Sequence, residues 1–379
     1  MNILFITHHD NFQGSSRSLL SLLQGLKSYG VTAKVVNPVE SAFTEALKEA
    51  GVQCAIFPVP WWVAEKSLTL KKKLEHARKI RSSVEKITEL IQEWEIDLVY
   101  TNTSVIPVGF LAARKAHLPH IWHIREYFDL YFGWKYIFPA WLSKFIFSRS
   151  NAIICHARGI QQHYFPSSPA NVHQIYNGVA TITELESRLQ TRLSMPQKKD
   201  FTFAMLSNIN PKKDQESAIQ ALAKLRDEGT LGNLLIVGNG KPEYVNKLQQ
   251  LVVDLKLTDR VAFTGLVDDP FPYYYSADCA LVCSEFEALS RVGLEAMSTA
   301  LPVIGKNSGG NPEIIKHGTT GFLYDSFEEL VARMKAMVED PKSARQIGLA
   351  GWQRARDLFN IEDYAANVYR VIQSVMEKR

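Results

Sequence analysis

The segment Ser284–Gly310 reads SEFEALSRVGLEAMSTALPVIGKNSGG and carries the strongest signal in the chain. Its pattern predicts a helix that begins near Ser290 or Arg291, then a short buried strand over 301–304 and a glycine pair. The first amides of that helix, around Ser290, Arg291 and Val292, have no intrahelical partners, and the helix dipole adds partial positive charge there. The segment therefore predicts an anion-binding helix N-terminus that suits a diphosphate.

Two carboxylates flank this predicted N-terminus. Glu287 lies in the loop just before the helix, and Glu295 lies about one turn into it. Because ionised carboxylates only accept hydrogen bonds, one can accept from the hydroxyls of a sugar and the other from a ribose diol. A nucleotide-sugar, with a diphosphate between two hydroxyl-rich groups, has the matching shape. Two arbitrary glutamates on a helix are ordinarily solvated surface charges, so the surrounding residues have to decide between these interpretations.

Those surroundings resemble glycosyltransferase family 4: a Glu-x7-Glu spacing, Leu-Glu-Ala-Met around the second glutamate, a Leu-Pro-Val-Ile strand and a Gly-Gly-x-Pro-Glu loop. The resemblance implies a retaining enzyme with the α/β GT-B fold, two doubly wound Rossmann-like domains facing each other across a cleft. It implies that Glu295 holds the ribose, that Glu287 holds the transferred sugar, and that Arg291 and the helix amides bind the donor phosphates. It also implies that no metal and no other cofactor is required.

Two further loops extend the resemblance in the second half of the chain. Lys213 falls on the family lysine that grips the donor diphosphate, whereas Asn208 stands where the family has an arginine. Since asparagine supplies no charge, the diphosphate is expected to depend on Lys213, Arg291 and the helix amides. Val267 lies in the loop 265–269, where family members hold the nucleobase through backbone groups.

The first half contributes three more site residues by resemblance. Gly14 and Ser15 open the first long helix, where the family has a glycine-rich loop close to the donor. His123 lies near a strand end where the family often has a histidine that faces the reacting sugar, so His123 is a catalytic candidate beside Glu287. A lone histidine at a strand end is as often a satisfied structural group, and both interpretations stay open.

The composition limits the alternatives. The 379 residues suit two domains, the chain is 46% hydrophobic and 22% charged, and a net charge of +4 does not imply nucleic acid. No stretch reaches the roughly 18 uninterrupted apolar residues of a membrane span. The four cysteines show no paired spacing and the amino terminus shows no signal-peptide pattern, so we expect a cytoplasmic protein with free thiols.

Strands alternate with helices in both halves of the chain, which predicts two parallel sheets with helices on both faces. The turn at Asn177 and Gly178 ends the first series, and polar sequence follows as far as Asp200. The predicted domains are 1–180 for the acceptor and 181–360 for the nucleotide-sugar. In proteins with the GT-B fold a last helix, here 361–379, packs back on the first domain.

The sequence thus predicts transfer of a hexose-type sugar from a nucleoside diphosphate sugar to a hydroxyl of a carbohydrate or lipid-linked acceptor, in polysaccharide or glycolipid synthesis. Two alternatives stay open: a sugar-nucleotide epimerase of the same fold, and a catalytically weak nucleotide-sugar-binding subunit. Asn208 and Ser290 depart from the family pattern, and for this reason the weakly catalytic binding subunit remains an alternative. Product analysis with the donor alone separates an epimerase from a transferase.

The first predicted domain contains a basic segment and an aromatic-rich segment, which give an indication of where the acceptor is located. Between Lys66 and Arg81 there are seven lysines and arginines against one acid, Glu75, and Tyr127–Phe147 is dense in aromatic residues. Basic clusters are attracted to anionic lipid, and amphipathic aromatics favour the headgroup level. One hypothesis is a peripheral contact with the inner face of the cytoplasmic membrane. The alternative is a solvated helix face beside an aromatic core.

Overall fold

The computed structural model describes residues 1–8, 14–196 and 200–378. The chain forms two compact α/β units. Unit 1 holds the residues up to Gly178 together with the C-terminal segment that begins at Ile361, and unit 2 holds Val179–Asn360. The change of unit coincides with the Asn177-Gly178 turn.

Unit 1 is built on a parallel sheet of seven strands and a two-stranded antiparallel ribbon in the described part of the chain. The strands are β1 (Asn2–Ile6), β2 (Thr32–Asn37), β3 (Gln53–Ile56), β4 (Val63–Ala64), β5 (Leu98–Thr101), β6 (His120–Ile124), β7 (Lys135–Tyr136), β8 (Ala152–Cys155) and β9 (Val172–Gln174). The sheet order is β3-β2-β1-β5-β6-β8-β9, and β4 pairs with β7 to form the ribbon. The central strands are buried along their whole length, as expected of a parallel sheet covered on both faces.

Helices connect the strands of unit 1. They are α1 (Gly14–Lys27), α2 (Ala42–Glu49), α3 (Leu70–Glu93), α4 (Val108–Lys115), α5 (Phe128–Phe132), α6 (Ala140–Ser148) and α7 (Arg158–Tyr164). The apolar side of α1, with Leu19, Leu22 and Leu26, packs on the sheet residues Ile3 and Phe5 in one core.

Unit 2 repeats the design with six parallel strands in the order β12-β11-β10-β13-β14-β15. These are β10 (Thr202–Leu206), β11 (Asn233–Val237), β12 (Val261–Gly265), β13 (Cys279–Val282), β14 (Val303–Lys306) and β15 (Phe322–Tyr324). Its helices are α8 (Ile182–Ser194), α9 (Gln215–Asp227), α10 (Pro242–Asp254), α11 (Phe271–Ser276), α12 (Arg291–Ser298), α13 (Asn311–Ile314), α14 (Phe327–Glu339) and α15 (Pro341–Leu358).

The last helix, α16 (Ile361–Glu377), belongs to unit 1. Its buried residues Tyr364, Val368 and Ile372 join the same core as α1. Gly25 of α1 lies so close to the Cβ of Ala365 that a side chain at Gly25 would collide with it. The small residues let the two helices approach, and the chain therefore finishes unit 1 only after completing unit 2.

The predicted fold class is confirmed, because both halves are parallel-sheet, Rossmann-like α/β domains. The polar stretch expected to run to Asp200 is instead the helix α8. Its start is fixed by a capping box, in which Thr181 Oγ1 accepts from the amide of Glu184 and the carboxylate of Glu184 accepts from the amide of Thr181. Only Leu185 of this helix is buried, which explains why its sequence looks like a linker.

Candidate active site

The loops that follow the strands of unit 2 meet at one edge of its sheet, because all six strands run parallel. The loops after β10 and β11 are in direct contact: a side chain at Gly238 would collide with the carbonyl oxygen of Ser207, and one at Gly240 with that of Ile209. The amide of Ile209 also donates to the carbonyl of Asn239 at 2.7 Å. Glycines are needed here for close approach of two backbones.

A second glycine pair fixes the loop that carries Glu287. Gly309 has φ +55°, and side chains at Gly309 and Gly310 would collide with the carbonyl oxygens of Glu287 and Ala288. The amide of Gly310 donates to the carbonyl of Glu287 at 2.6 Å. The Gly-Gly of the Ser284–Gly310 segment therefore holds the backbone of Glu287 in place.

Glu287 forms an ion pair with Lys213. The pair joins the Nζ of Lys213 to the Oε1 of Glu287, and the two side chains are 19% and 18% exposed. Lys213 ends a short 3₁₀ turn after β10, whose start is capped by Asn210: its Oδ1 accepts from the amide of Lys212 at 3.0 Å. The sequence predicted that both residues face the donor, and the structure brings them together.

The start of α12 matches the prediction. Ser290 is the N-cap, and its Oγ accepts from the amide of Gly293 at 3.1 Å. Arg291 is the first helical residue, and Val292, the second, is half-buried. The helix N-terminus thus lies three residues after Glu287, at the same edge of the sheet as Lys213.

Glu295 is buried, and both of its carboxylate oxygens are bonded. Oε1 accepts from the Nε of Arg291 at 2.8 Å, and Oε2 accepts from the hydroxyl of Tyr274 at 3.1 Å. Tyr274 has no exposed surface. Each cation of the predicted donor site is therefore paired with one of its carboxylates: Lys213 with Glu287 and Arg291 with Glu295.

The remaining predicted residues of unit 2 occupy the same edge of the sheet. Asn208 is exposed, and its carbonyl accepts from the side chain of the buried Gln215 at 3.1 Å. Val267 is half-buried in the loop after β12. In the described ranges no group of three or more His, Cys, Asp and Glu side chains is placed to hold a metal ion.

In unit 1, Gly14 and Ser15 are the first residues of α1, and the loop residues 9–13 that precede them lie outside the described residues. The expected approach of Gly14 and Ser15 to a donor stays a prediction.

His123 has no exposed surface. Its Nδ1 lies 2.7 Å from the hydroxyl of Tyr100 and 3.2 Å from Nη2 of Arg125. An arginine nitrogen only donates, so Nδ1 is the acceptor and the ring proton lies on Nε2. Burial, the charge of Arg125 and the neighbouring His156 hold the pKa of His123 well below its usual range. In this structure His123 is thus a neutral, buried group. Its contact with a sugar stays a prediction.

Two sequence profiles match the chain, one to each half. The profile Glycosyl transferases group 1 matches residues 190–354, and the profile Glycosyltransferase Family 4 matches residues 12–182. The chain belongs to the family 4 type of glycosyltransferases. The first profile includes both carboxylates and Lys213, so the most conspicuous segment of the sequence lies within the family match.

Two curated relatives of this family 4 chain are similar over part of their length. N-acetyl-alpha-D-glucosaminyl L-malate synthase of Bacillus anthracis is 36% identical over 154 residues, which are 40% of this chain and 39% of the relative. GDP-mannose-dependent alpha-(1-6)-phosphatidylinositol monomannoside mannosyltransferase of Mycobacterium tuberculosis is 34% identical over 161 residues, 40% of this chain and 41% of the relative. The matches thus span about two fifths of these relatives.

The fold of the whole chain is found in solved structures. The crystal structure of Anabaena HepE in complex with UDP-glucose has a TM-score of 0.78 at 22% identity, and covers 99% of this chain and 100% of that one. This likeness agrees with the GT-B fold expected of a family 4 chain.

Sequence reasoning missed two residues that the structure makes prominent. Tyr274 holds Glu295, and its only signal was its place in the aromatic run Tyr273–Tyr275 before β13. Arg125, directly after β6, is the centre of a buried polar cluster that includes His123. Its signal was a charged residue at the carboxyl end of a buried strand, two positions from the histidine that was selected.

Proposed function

We propose that this chain is a retaining glycosyltransferase that moves a hexose-type sugar from a nucleoside diphosphate sugar to an acceptor hydroxyl. The observation that carries the proposal is the arrangement at the start of α12. Glu287 with Lys213 lies in the loop before the helix N-terminus, and Glu295 with Arg291 lies in the first turns after it. Two carboxylates on either side of an anion-binding helix end match a donor with a diphosphate between two hydroxyl-rich groups.

In the proposed complex, Glu295 accepts hydrogen bonds from the ribose and Glu287 accepts them from the transferred sugar. The diphosphate lies near the amides of Ser290 to Val292, and Lys213 and Arg291 exchange part of their contact with the carboxylates for contact with phosphate oxygens. Backbone groups near Val267 hold the base. Cationic side chains and helix amides neutralise the phosphate charge, and the reaction needs no metal.

The proposed chemistry uses no enzyme nucleophile, because both carboxylates are assigned to binding. The acceptor oxygen attacks the anomeric carbon on the face from which the diphosphate leaves. The new carbon–oxygen bond forms as the bond to the phosphate oxygen breaks, and the leaving phosphate takes the proton of the acceptor hydroxyl. The anomeric configuration is then retained.

Transfer is tested by incubating the chain with UDP-, GDP- and ADP-sugars after a thermal-shift screen. A donor near a hundred times its dissociation constant is expected to add about 2.7 kcal/mol to the free energy of unfolding. Proton NMR of the product is expected to show the donor's anomeric configuration, with equal rates in EDTA. An inverted product, an absolute requirement for a divalent cation, or epimerised donor without transfer would each contradict the proposal.

We also propose that unit 1 contacts an anionic membrane that presents a lipid-linked acceptor. Among the described residues no helix is long and apolar enough to cross a membrane, so the contact would be peripheral. Large apolar side chains nevertheless stand exposed at two places: Leu70 (74%) and Leu74 on α3, and Trp141 (68%) and Phe145 on α6. Lys71 and Lys72 beside the first pair and Lys144 beside the second are exposed as well.

The two helices that carry these side chains both contact the tryptophans just before β4. His76 of α3 contacts the carbonyl of Trp61, and Phe147 of α6 lies edge-on to Trp62 with ring centroids 5.8 Å apart. Basic groups interleaved with exposed tryptophan, phenylalanine and leucine match the headgroup level of an anionic lipid surface.

The membrane proposal is tested by co-sedimentation with vesicles containing phosphatidylglycerol, and with phosphatidylcholine vesicles as the control. We expect binding only to the anionic vesicles at physiological salt. Changing Lys71, Lys72 and Lys73 to Glu, or Trp141 and Phe145 to Ser, should abolish it. If the wild-type chain does not bind, or binds equally after these changes, the membrane proposal is wrong and the acceptor should be sought among soluble molecules.

A further inference from the structure

Arg125 is a buried arginine at the carboxyl edge of the unit 1 sheet, and it is 7% exposed. Its Nε donates to Asn102 Oδ1 at 2.7 Å, and its Nη1 donates to Asn177 Oδ1 at 3.0 Å. Its Nη2 donates to the hydroxyl of Tyr364 at 2.8 Å and lies 3.2 Å from Nδ1 of His123. Every one of these acceptors is uncharged.

The acid next to Arg125 in sequence does not neutralise it. The Oε1 of Glu126 accepts from Thr103 Oγ1, the amide of Ser104 and Ser104 Oγ, at 2.6, 2.7 and 2.6 Å. These three bonds hold the carboxylate on the loop after β5, and within the described ranges no acidic group lies within 4.0 Å of the Arg125 guanidinium. A buried charge without a counter-charge is costly, and proteins ordinarily pair it.

The histidines around Arg125 do not change this balance. Burial and the charge of Arg125 lower the pKa of His156 to about 3, and the pKa of His123 is also lowered well below its usual range. Both rings are therefore neutral near pH 7, and the cluster carries one positive charge. The Nε2 of His123, which carries the ring proton, has no hydrogen-bond partner among the described residues.

We propose that Arg125 binds a negatively charged group of a substrate, a carboxylate or a phosphate, in unit 1. The four neutral partners orient the guanidinium without neutralising it, so that the counter-charge arrives with the ligand. A guanidinium has five N–H donors, and the four partners take four of them, which leaves one N–H of Nη1 for a charge-assisted hydrogen bond to a carboxylate or phosphate oxygen. The inference rests on the proposed function, and it adds that the acceptor bears an anionic group.

The test uses calorimetric titration of the full chain, first with UDP and GDP, and then with L-malate, inorganic phosphate and neutral glycerol. The second series is run with and without saturating nucleoside diphosphate, which fills the phosphate-binding groups of unit 2. We expect malate or phosphate to bind and glycerol not to bind. Arg125→Gln should weaken the anion's affinity by about 10- to 100-fold. Arg114→Gln makes the same change at an exposed arginine of α4 outside the cluster, and should stay within about threefold of the wild type.

The outcomes decide whether Arg125 binds an anionic group of the acceptor. If Arg125→Gln weakens malate or phosphate but leaves UDP and GDP unchanged, the anion belongs to the acceptor. If it weakens only the nucleoside diphosphate, the anion is not the acceptor's and the inference is wrong. If it changes neither, the inference is wrong.

Two controls keep the result interpretable. Absence of any nucleoside diphosphate binding would contradict the proposed function, while the malate and phosphate series would still decide on Arg125. Should Arg125→Gln not fold, Arg125→Lys takes its place. A lysine ammonium has only three donors and cannot replace the four neutral contacts and also bind the anion. A loss of about tenfold or more is therefore expected, and an affinity equal to the wild type's overturns the inference.

Discussion

At the scale of single residues, the two carboxylates near α12 are held differently. Glu295 is fixed through both oxygens, by Arg291 at 2.8 Å and by the buried Tyr274 at 3.1 Å. A carboxylate has about four acceptor sites, so Glu295 can still accept from a diol in a fixed direction. Glu287 is held by a single cation, Lys213, in a half-buried ion pair. In the proposed complex, Glu295 is thus preorganised for the ribose, whereas Glu287 would share Lys213 with the donor phosphate.

Lys213→Ala is expected to weaken donor binding by tenfold or more, because a charged hydrogen bond to phosphate contributes about 1.5–3 kcal/mol. Lys212→Ala is the matched control, since Lys212 is adjacent and exposed. Asn208→Arg should be tolerated, because the side chain of Asn208 is exposed, and it should raise donor affinity. Calorimetric titration measures each effect, and full donor affinity in Lys213→Ala would contradict the assignment.

The buried histidines of unit 1 predict a loss of stability in mild acid. Burial lowers the pKa of both His120 and His156 to about 3, against an ordinary value of 6.5. Between these values the unfolded chain binds more protons than the folded one, so the free energy of unfolding falls as the pH drops below about 6.5. At pH 5 the expected loss is about 2 kcal/mol for each histidine.

Urea unfolding at pH 7 and pH 5 measures this loss. His120→Gln removes one titrating group while keeping a polar side chain beside Thr101 and Ser150, and should reduce the difference between the two pH values. The exposed His117 offers the control, because His117→Gln should leave the difference unchanged. A pH dependence that is identical in all three proteins would refute the explanation.

At the scale of elements, the start of α12 depends on one cap. Ser290→Ala removes the oxygen that accepts from the amide of Gly293, and should lower the free energy of unfolding by about 1 kcal/mol. Thr69 caps α3 through a longer, exposed bond of 3.4 Å, so Thr69→Ala should cost less. Urea midpoints measure both, and a larger effect at Thr69 would be the contrary result.

The sequence predicts those elements whose signals are local. The helix α12 begins at Arg291, one of the two predicted residues, because capping residues act over a few positions. The ribbon was not predicted, since β4 and β7 have two residues each and pair across a separation of about seventy positions. The helix α8 was missed because it buries a single residue.

The candidate site likewise combines residues with local sequence signals and residues that only long-range contacts bring together. The Glu-x7-Glu spacing and the glycine pair lie within one segment, so the surroundings of Glu287 could be anticipated. The cluster around Arg125 could not, because its partners Asn177 and Tyr364 are 52 and 239 residues away in sequence. Only the folded chain brings them to one guanidinium. The family pattern has a histidine at this strand end, so the sequence indicates His123. It gives no indication of the distant partners that gather around Arg125.

At the scale of the whole molecule, the chain builds unit 1, then unit 2, and returns to finish unit 1 with α16. Ile372 on this helix has no exposed surface and packs in the core with α1. Ile372→Ala is expected to lower the free energy of unfolding by about 2–5 kcal/mol, the usual range for such a cavity. Gln373→Ala, one exposed position along, should change it by less than about 0.5 kcal/mol.

The central claim is that Glu295 holds the nucleotide and Glu287 the sugar of one donor. Its most direct test is calorimetric titration of the bound nucleoside diphosphate and of the whole nucleotide-sugar into the wild type, Glu295→Ala and Glu287→Ala. The account predicts that Glu295→Ala weakens both ligands by tenfold or more. Glu287→Ala should leave the nucleoside diphosphate within about threefold and abolish transfer. Equal effects of the two substitutions on nucleoside diphosphate binding would contradict the account.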